Sequence, residues 1–269
     1  MWATWHFEVS RLVYDPFTVD LNQRWKMFWH RYLEANIGGT GTRLFEHGWI
    51  GVSTAASPSG PWSPERKFFV GQGYEISNDS IIGPSEYNLA SLFPALEDLG
   101  TCIAFTEPGV IANSNGVYIS LKCATADAGK VVLIQCDNEL AASSCSYLGD
   151  FMDDTESAQF ANVGQNFSGF SATELVETSG KTYLILTPTE SPGELYRGCL
   201  VFEVADLTTA TLVRSANVPT LIKRIEGSAG SFNGACGYVE GTSASGIIYS
   251  QYHTSAPQFR IFASKINLP

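Results

Sequence analysis

Residues 106–122 read TEPGVIANSNGVYISLK, and this stretch holds the pattern that decides the fold. An acidic turn-forming segment, Thr106 to Gly109, is followed by an apolar strand with an aromatic residue, Val117 to Lys122. The same pattern occurs three more times, at Tyr14-Asp15-Pro16 with Arg24 to Tyr32, Thr173-Glu174-Leu175 with Lys181 to Thr187, and Gly234 to Glu240 with Gly246 to Tyr252. Such a repeat is typical of propeller blades or solenoid turns, and blades around one axis would bring the first strands of distant segments together at a central pocket.

The spacing of the copies supports a structural repeat. Glu174 follows Glu107 by 67 residues and Tyr238 follows Glu174 by 64, whereas Glu107 follows Asp15 by 92. The longer first interval indicates an insertion between the first two copies. It contains one helix candidate, Asn88 to Leu99, which Pro94 restricts to a short turn.

Strand signals dominate the rest of the chain and predict an all-β protein. The predicted strands are short, rich in β-branched or aromatic residues and bounded by Gly, Ser, Asn or Pro. They are Trp25–Tyr32, Gly48–Ala55, Val117–Lys122, Val131–Cys136, Tyr183–Thr187, Cys199–Val204, Ile247–Tyr252 and Phe259–Ser264. The polar stretches 72–87 and 153–170 are predicted to be loops.

Composition limits the function. The chain has 269 residues, of which 44% are hydrophobic and 12% aromatic, enough for one large core, and we predict a single domain over residues 1–269. Its net charge of −11 disfavours nucleic acid and anionic membrane surfaces as partners and favours a small neutral ligand. No apolar run reaches the roughly eighteen residues of a membrane helix, and the first residues do not form a signal peptide.

Six cysteines show neither C-x-x-C spacing nor paired histidines, which argues against a zinc site. Cys136 and Cys145 flank a short polar turn and are predicted to form a disulfide if the compartment is oxidising. The other four are predicted to pack as small buried hydrophobic residues. No nucleotide-binding loop, nucleophile elbow or zinc-protease motif occurs in the sequence.

One turn carries a more specific signal. Residues 54–63 read TAASPSGPWS, where Pro58 presets a turn, Gly60 permits a positive φ and Trp62 can hold the turn against the sheet. Together with Tyr14-Asp15-Pro16 and the aromatic strand Trp25 to Tyr32, this segment resembles the five-bladed propeller glycoside hydrolases of the family 43 and family 32 type. The resemblance implies a β-propeller of four to five blades, each of about four antiparallel strands, that acts on a carbohydrate. It also implies secretion or export to the periplasm.

The resemblance further implies where the catalytic carboxylates lie. That superfamily has an Asp base or nucleophile on its first blade, a second Asp on the second, and a Glu general acid on the third. Glu107 looks like the Glu and Asp15 like one of the two Asp residues. Because only four repeats are visible, either a first blade precedes Met1, or Asp15 and Glu107 belong to consecutive blades of a smaller propeller.

Each predicted carboxylate has a structural alternative. Asp15 precedes Pro16 and could cap a turn. Glu107 could be a loop acid, and Glu174, in apolar surroundings, is either a substrate-binding residue or half of a salt bridge. The corresponding functional alternatives are hydrolysis of an oligo- or polysaccharide, binding of a carbohydrate without cleavage, and a scaffold for protein contacts.

His30, Arg31 and Trp29 lie in the aromatic strand and are predicted to bind substrate. Because alternate residues of a strand face opposite ways, at most one of His30 and Arg31 points into the pocket. Trp29 could instead be core, as could Trp25, Trp49 and Trp62. No cofactor is predicted, although calcium bound by Asp and backbone oxygens at a propeller axis remains open.

Overall fold

The computed structural model describes residues 3–37, 40–71, 99, 102–125, 129–161, 167–190, 195–226, 232–239, 246–253, 258–264 and 268. The chain divides into two compact units. The first unit comprises residues 1–126 and 133–147, and the second comprises residues 127–132 and 148–269. The single domain expected from the sequence stays a prediction.

Two four-stranded sheets come first along the chain, and in each the strands are hydrogen-bonded in chain order. The first sheet has β1 (Ala3–Tyr14), β2 (Trp25–Ile37), β3 (Thr40–Ala55) and β4 (Arg66–Phe69). The second has β5 (Ala104–Asn113), β6 (Gly116–Ala124), β7 (Lys130–Cys136) and β8 (Ser146–Met152). Single 3₁₀ turns lie at Leu21–Gln23 and Ala142–Ser144.

Two further sheets follow a short helix, α1 (Asp154–Ala161). The third sheet contains β9 (Phe167–Thr178), β10 (Lys181–Glu190), β11 (Leu195–Tyr196), β12 (Cys199–Asp206), β13 (Thr211–Leu212) and β16 (Leu221–Ile225). A 3₁₀ turn at Leu207–Thr209 and a small ribbon of β14 (Arg214–Ser215) and β15 (Val218–Pro219) interrupt it. The fourth sheet has β17 (Phe232–Val239), β18 (Gly246–His253) and β19 (Gln258–Ser264).

The all-β prediction is confirmed, and every strand predicted from the sequence lies within an observed one. The prediction of a loop over 153–170 is wrong, because α1 and the start of β9 lie there. Asp153 begins the helix by accepting a hydrogen bond from the backbone N–H of Glu156 at 2.8 Å. Residues 72–87 and 88–98, which hold the other predicted loop and most of the helix candidate, lie outside the described residues.

The first strand of each sheet carries a β-bulge. In β1, β5 and β17, two residues oppose one on the neighbouring strand, and in β9 an extra residue is inserted at each of two places. The bulged residues are Val9-Ser10 in β1, Glu107-Pro108 in β5, Ser168 and Ser171 in β9, and Ala235-Cys236 in β17. Ser171 follows Glu107 by 64 residues and Ala235 follows Ser171 by another 64, so the bulge marks the true structural repeat.

This register corrects one part of the sequence repeat. Asp15 follows the end of β1 at Tyr14, whereas Glu107 lies inside β5. The residues of β1 that correspond to Glu107 and Pro108 are therefore Val9 and Ser10, not Asp15. The repeat seen in the sequence rests on acidic residues, whereas the feature that repeats in the structure is the β-bulge of the backbone.

Buried apolar side chains fill both units. In the first unit the fully buried residues include Phe28, Tyr32, Ile50, Val52, Phe69, Val117, Ile119 and Leu121. In the second, residues of β9, β10, β12, β16, β17 and β18 form one cluster around Tyr183, Ile185, Val201 and Ile247. Their burial fixes the strands that carry the polar residues described below.

Three disulfides link the cysteines. Cys136 and Cys145 are bonded as predicted. The prediction that the other four are free is wrong, since Cys102 pairs with Cys123 and Cys199 with Cys236. The Cys199–Cys236 bond joins β12 to the bulge of β17. The two cysteines are 37 residues apart in the sequence, and their strands meet only in the folded unit.

Replacing both Cys199 and Cys236 by Ala is expected to lower the free energy of unfolding by about 2 to 4 kcal/mol, because their bond restricts a long loop in the unfolded chain. Urea unfolding monitored by circular dichroism measures this loss. The matched control is the double Ala variant of Cys136 and Cys145, whose separation is only 9 residues and whose loss should be smaller. A larger loss in the control would contradict the argument from loop length.

Candidate functional site

Glu107 occupies an unusual backbone position in β5. It is the first residue of the β5 bulge, has a φ of 55° and is only 6% exposed. The left-handed region costs a non-glycine residue roughly 1 to 2 kcal/mol. Bulges and strained residues of this kind concentrate at functional sites, where they direct a side chain that the regular pleat would point elsewhere.

Strand β5 packs against β1, β2 and β3, and polar side chains lie on one face of that first sheet. Glu8 of β1 pairs with His30 of β2, so both side chains are on the same face. The Tyr32 hydroxyl donates to Glu8 Oε1 at 2.8 Å, and the Tyr32 ring lies 5.1 Å from the His30 ring. These three residues form one polar group inside the first unit, which we call the Glu8 cluster.

The Glu8 cluster is connected to the strand that carries Glu107. Burial, and then repulsion by the Lys122 ammonium, lower the pKa of His30 to about 3. Lys122 pairs with Thr106, the residue directly before Glu107. Glu8, Tyr32 and His30 are thus in contact, and the lysine whose charge acts on His30 lies opposite the residue before the bulge of β5.

The lowered pKa of His30 predicts a specific pH dependence of stability. The unfolded chain binds the proton more tightly than the folded one, so the contribution of His30 is fully present above pH 6.5 and is lost as the pH falls towards about 3. The loss amounts to about 1.4 kcal/mol per pH unit. Urea unfolding at pH 7 and pH 4 should show a smaller pH effect in His30→Gln than in the wild type, and equal effects in both would refute a neutral buried His30.

Sequence reasoning missed four members of this region: His6, Glu8, Tyr32 and Lys122. His6 stacks on Tyr32 with ring centroids 5.1 Å apart, and its Nε2 lies 2.9 Å from Glu34 Oε2. One sequence signal could have revealed His6 and Glu8: they are two residues apart in an extended stretch, and such residues lie on the same face of a strand.

Trp29 and Arg31 lie on the opposite face of β2 from His30, as strand alternation requires. Both contact Glu65, which accepts hydrogen bonds from Trp29 Nε1 at 3.2 Å and Arg31 Nη1 at 2.5 Å. Trp49 Nε1 donates to the same carboxylate at 2.7 Å. The structure therefore brings Trp29 and Arg31 together around Glu65 and separates them from His30.

Aromatic rings also surround the Arg31 guanidinium. Its central carbon lies 5.0, 4.5 and 4.9 Å from the ring centroids of Trp5, Phe7 and Trp49. Cation–π contacts and the Glu65 ion pair explain these residues as part of the sheet's own packing. Substrate binding by Trp29, Arg31 or His30 stays a prediction.

Asp15 is fully buried at the centre of a hydrogen-bonded network. Its carboxylate accepts from Phe17 N at 3.0 Å, Thr18 Oγ1 at 2.7 Å, Lys26 Nζ at 2.9 Å and Asn138 Nδ2 at 3.1 and 3.0 Å. Burial opposes the charged carboxylate, but hydrogen bonds from Lys26, Thr18 and Asn138 outweigh it and hold the pKa of Asp15 below its usual value. The turn-capping alternative is thus present, since Asp15 bonds the backbone two residues on.

The network also locates Asp15 relative to Glu107. The Asn138 amide that donates to Asp15 donates to the carbonyl of Asn113 at 3.0 Å, at the end of β5. Glu107 lies six residues earlier in the same strand, a separation of roughly 20 Å at about 3.3 Å per residue. The described contacts do not bring Asp15 and Glu107 together, and a catalytic role for Asp15 stays a prediction.

Glu174 belongs to the second unit. It lies in β9 opposite Ile185 and is half-buried between the buried residues Thr173 and Leu175. Its predicted role as a substrate-binding residue stays a prediction.

Neither a metal cluster nor a membrane-spanning helix is found among the described residues. No group of three or more His, Cys, Asp or Glu residues there could hold a metal ion. Calcium at a propeller axis stays a prediction. Of the described helices, none has the length and apolar character that crossing a membrane requires.

Comparisons with known proteins identify the fold. Neither a protein-family model nor a curated protein matches the sequence. Among solved structures, an endo-1,4-β-xylanase from Bacteroides thetaiotaomicron is similar, with a TM-score of 0.53, 12% identity, and coverage of 97% of this chain and 72% of the xylanase. An exo-1,5-α-L-arabinanase from a bovine ruminal metagenomic library has a TM-score of 0.52 and 11% identity, covering 95% of this chain and 73% of that one.

A third similar structure is an exo-β-1,3-galactanase from Phanerochaete chrysosporium, solved with β-1,3-galactotriose. Its TM-score is 0.50 and its identity 13%, over 96% of this chain and 46% of the galactanase. Identities this low show the fold alone. The chain has the all-β propeller fold of these glycoside hydrolases, with four blades of antiparallel strands in its described part.

Proposed function

We propose that this protein hydrolyses glycosidic bonds and that Glu107 is its general acid. The observation that carries the proposal is the position of Glu107, a buried carboxyl at a bulge in a left-handed conformation, on a fold that glycoside hydrolases use. A xylanase, an arabinanase and a galactanase share this fold, so an oligo- or polysaccharide is the substrate class that we propose.

The proposed chemistry needs two carboxyl groups. As the bond between the anomeric carbon and the leaving oxygen breaks, the acid gives its proton to that oxygen. The second carboxylate either attacks the anomeric carbon or takes a proton from the water that does so, and a water molecule supplies the new hydroxyl. The two carboxyls are about 5 to 9.5 Å apart, depending on the stereochemical course.

Glu8 is the second carboxylate that the described contacts support best. It lies on the face of the first sheet that carries His30, directly before the β1 bulge, and the Tyr32 hydroxyl orients it. The resemblance implies Asp15 as the second carboxylate instead. Asp15 lies near the end of β5 that is far from Glu107, and it already accepts hydrogen bonds from four residues. The two assignments make different predictions and can be separated by substitution.

Release of new reducing ends from xylan, arabinan, galactan and fructan tests the proposal. The wild type is expected to release sugar from at least one of them, and Glu107→Gln and Glu8→Gln should lose this activity while unfolding at the wild-type midpoint. Loss of activity in a folded Asp15→Asn with retention in Glu8→Gln would reassign the second carboxylate. A folded wild type that releases nothing would refute hydrolysis.

Carbohydrate binding without cleavage is the second candidate function. One observation favours it: of the two first-strand bulges described in the first unit, Val9-Ser10 and Glu107-Pro108, only the second contains a residue with a carboxyl side chain. A site with one carboxyl could hold a sugar but would lack half of the catalytic pair. Retention of a polysaccharide by a protein that never cleaves it would support this alternative.

We also propose export to the extracellular space or the periplasm. Three disulfides within 269 residues favour an oxidising compartment. The net charge of −11 suits an uncharged glycan as the partner better than a nucleic acid or an anionic lipid surface.

A further inference from the structure

A recess lies in the first unit, beside the turn that joins β3 to β4. Its volume is about 730 Å³, within the range of small-molecule pockets of about 300 to 1,000 Å³. Residues of that turn, of the short segment before β2 and of the end of β3 line it. We call it the Trp62 cleft, and Asn22, Gln23, Thr54, Trp62, Glu65 and Arg66 are its polar or aromatic lining residues used below.

The turn that carries Trp62 is held firmly. Gly60 has a φ of 81°, as the sequence predicted, and its N–H donates to Ser57 O at 2.9 Å. Ser63 N donates to Thr54 O at 2.8 Å, and Thr54 N donates back to Ser63 Oγ at 2.9 Å. The indole of Trp62 therefore sits on a backbone that needs no ordering when a ligand binds, which favours affinity.

Trp62 differs from the tryptophans of the sheet. Trp29 and Trp49 are 8% and 2% exposed, and both donate to Glu65, whereas Trp62 is half-buried and its indole N–H donates to no described residue. Trp62 is therefore not a fully buried core residue, which was the structural alternative that the sequence allowed. Trp62 lines the cleft, where its ring can contact a ligand.

Polar groups of the cleft are oriented by other contacts. Asp20 accepts from Asn22 Nδ2 at 3.1 Å and from Gln23 Nε2 at 3.0 Å, so the amide nitrogens are engaged while the amide oxygens accept from no described donor. Glu65 is fixed by the two indoles and by Arg31. The cleft thus presents oriented hydrogen-bonding groups around one aromatic ring.

This arrangement fits a neutral sugar. A pyranose ring has an apolar C–H face that can cover an indole, and hydroxyls at its edge that exchange hydrogen bonds with planar amide, carboxylate and guanidinium groups. Glu65 is already paired with Arg31, and among the described lining residues uncharged polar side chains outnumber charged ones, which suits an uncharged ligand. A proline-rich peptide also stacks on tryptophan, but peptide grooves of that kind are lined by several aromatic residues, and Trp62 is the only aromatic one among the described residues that line this cleft.

We propose that the Trp62 cleft is a carbohydrate-binding site that holds a neutral glycan chain on this protein independently of cleavage. None of its described lining residues belongs to the Glu8 cluster, and Glu107 does not line it. The proposal goes beyond hydrolysis and does not depend on it: a protein that only binds glycans would use the same cleft.

Affinity electrophoresis in native gels containing soluble xylan, arabinan, galactan, fructan or β-glucan tests the site. All proteins carry Glu107→Gln, so that no glycan is degraded during the run. We expect at least one glycan to retard this parent, and Trp62→Ala to raise the dissociation constant about tenfold or more, as loss of a central aromatic contact does. Replacing both Asn22 and Gln23 by Ala should weaken retardation in the same direction.

Tyr14→Ala is the matched control, because Tyr14 is an aromatic residue that is 46% exposed and does not line the cleft. It should leave retardation unchanged, and all variants should unfold at the parent's midpoint. Retardation by none of the glycans, or equal retardation of the parent and Trp62→Ala, would overturn the proposal. Binding of a proline decapeptide that depends on Trp62, without any glycan binding, would overturn it in favour of a peptide site.

The two proposals can fail separately. Loss of hydrolysis with intact Trp62-dependent retardation would refute the proposed activity alone. Hydrolysis that depends on Glu107, with retardation unaffected by Trp62→Ala, would refute the cleft alone.

Discussion

Glu107→Gln is expected to lower the rate of polysaccharide cleavage by about a hundred- to ten-thousand-fold, the usual contribution of a general acid. Gln has nearly the shape of Glu but cannot give a proton to the leaving oxygen. We therefore expect kcat to fall while KM and the glycan dissociation constant change little. Steady-state kinetics on the best substrate of the reducing-end assay measures both constants.

The control for this prediction is Glu177→Gln, a change of an exposed carboxylate in β9. It should leave both constants at the wild-type values. A rise in KM with unchanged kcat in Glu107→Gln would make Glu107 a binding residue instead of an acid. Unchanged activity would refute the assignment of Glu107 outright.

Lys26→Met is expected to lower the free energy of unfolding by about 3 to 5 kcal/mol, the usual loss when one partner of a buried ion pair is removed. Lys26 and Asp15 are both fully buried, with Nζ 2.9 Å from Oδ2. Lys26 Nζ also donates to Thr18 Oγ1 and to Gln23 O. Without the ammonium, the carboxylate would remain buried without its countercharge.

The pH dependence of this loss has a definite sign. In the wild type the pKa of Asp15 is lowered, so its stabilising contribution is present at neutral pH and is lost as the pH falls through that lowered pKa. In Lys26→Met the charged carboxylate is unfavourable, and protonation relieves it. The difference in unfolding free energy between wild type and variant should therefore shrink from pH 7 to pH 3.

Two further variants make the measurement specific to burial. The double variant Asp15→Asn/Lys26→Met removes both charges and should lose less stability than the sum of the two single variants. Lys181→Met breaks the exposed pair with Glu203, where the Lys181 side chain is 44% exposed, and should lose at most about 1 kcal/mol. Strict additivity in the double variant, or equal losses in the exposed and buried pairs, would contradict a buried Asp15–Lys26 pair that stabilises the turn.

The strands that sequence reasoning recognised are those whose residues alternate or run as β-branched segments, such as β6 and β12. The first strand of each sheet is harder to recognise from the sequence. In β5, Pro108 and the acidic Glu107 interrupt the strand signal, and buried residues occur on both faces, so no alternation marks it. The bulge that repeats every 64 residues in the later sheets is a backbone feature with different residues in each copy, which no residue motif reveals.

The same reasoning found part of the candidate site. Glu107 was found because an acidic residue before Pro-Gly precedes a strand. The Asp15-Pro16 pair looked equivalent to Glu107-Pro108, so Asp15 was predicted to lie in the same site. In the structure Asp15 caps the turn that follows β1. Glu8 was missed because its importance depends on the packing of β1 against β5, which the sequence does not show. The Cys199–Cys236 bond was missed for the same reason, since its strands meet only in the folded unit.

The most direct test of the central claim is a leaving-group comparison with Glu107→Gln. A 2,4-dinitrophenyl glycoside releases a stable phenolate that needs no proton, whereas the natural glycan releases an alcohol that needs one. Our account predicts that initial phenolate release by Glu107→Gln stays within about tenfold of the wild type, while cleavage of the glycan falls by about a hundredfold or more. Equal losses on both substrates, or no loss on either, would contradict the assignment of Glu107 as the general acid.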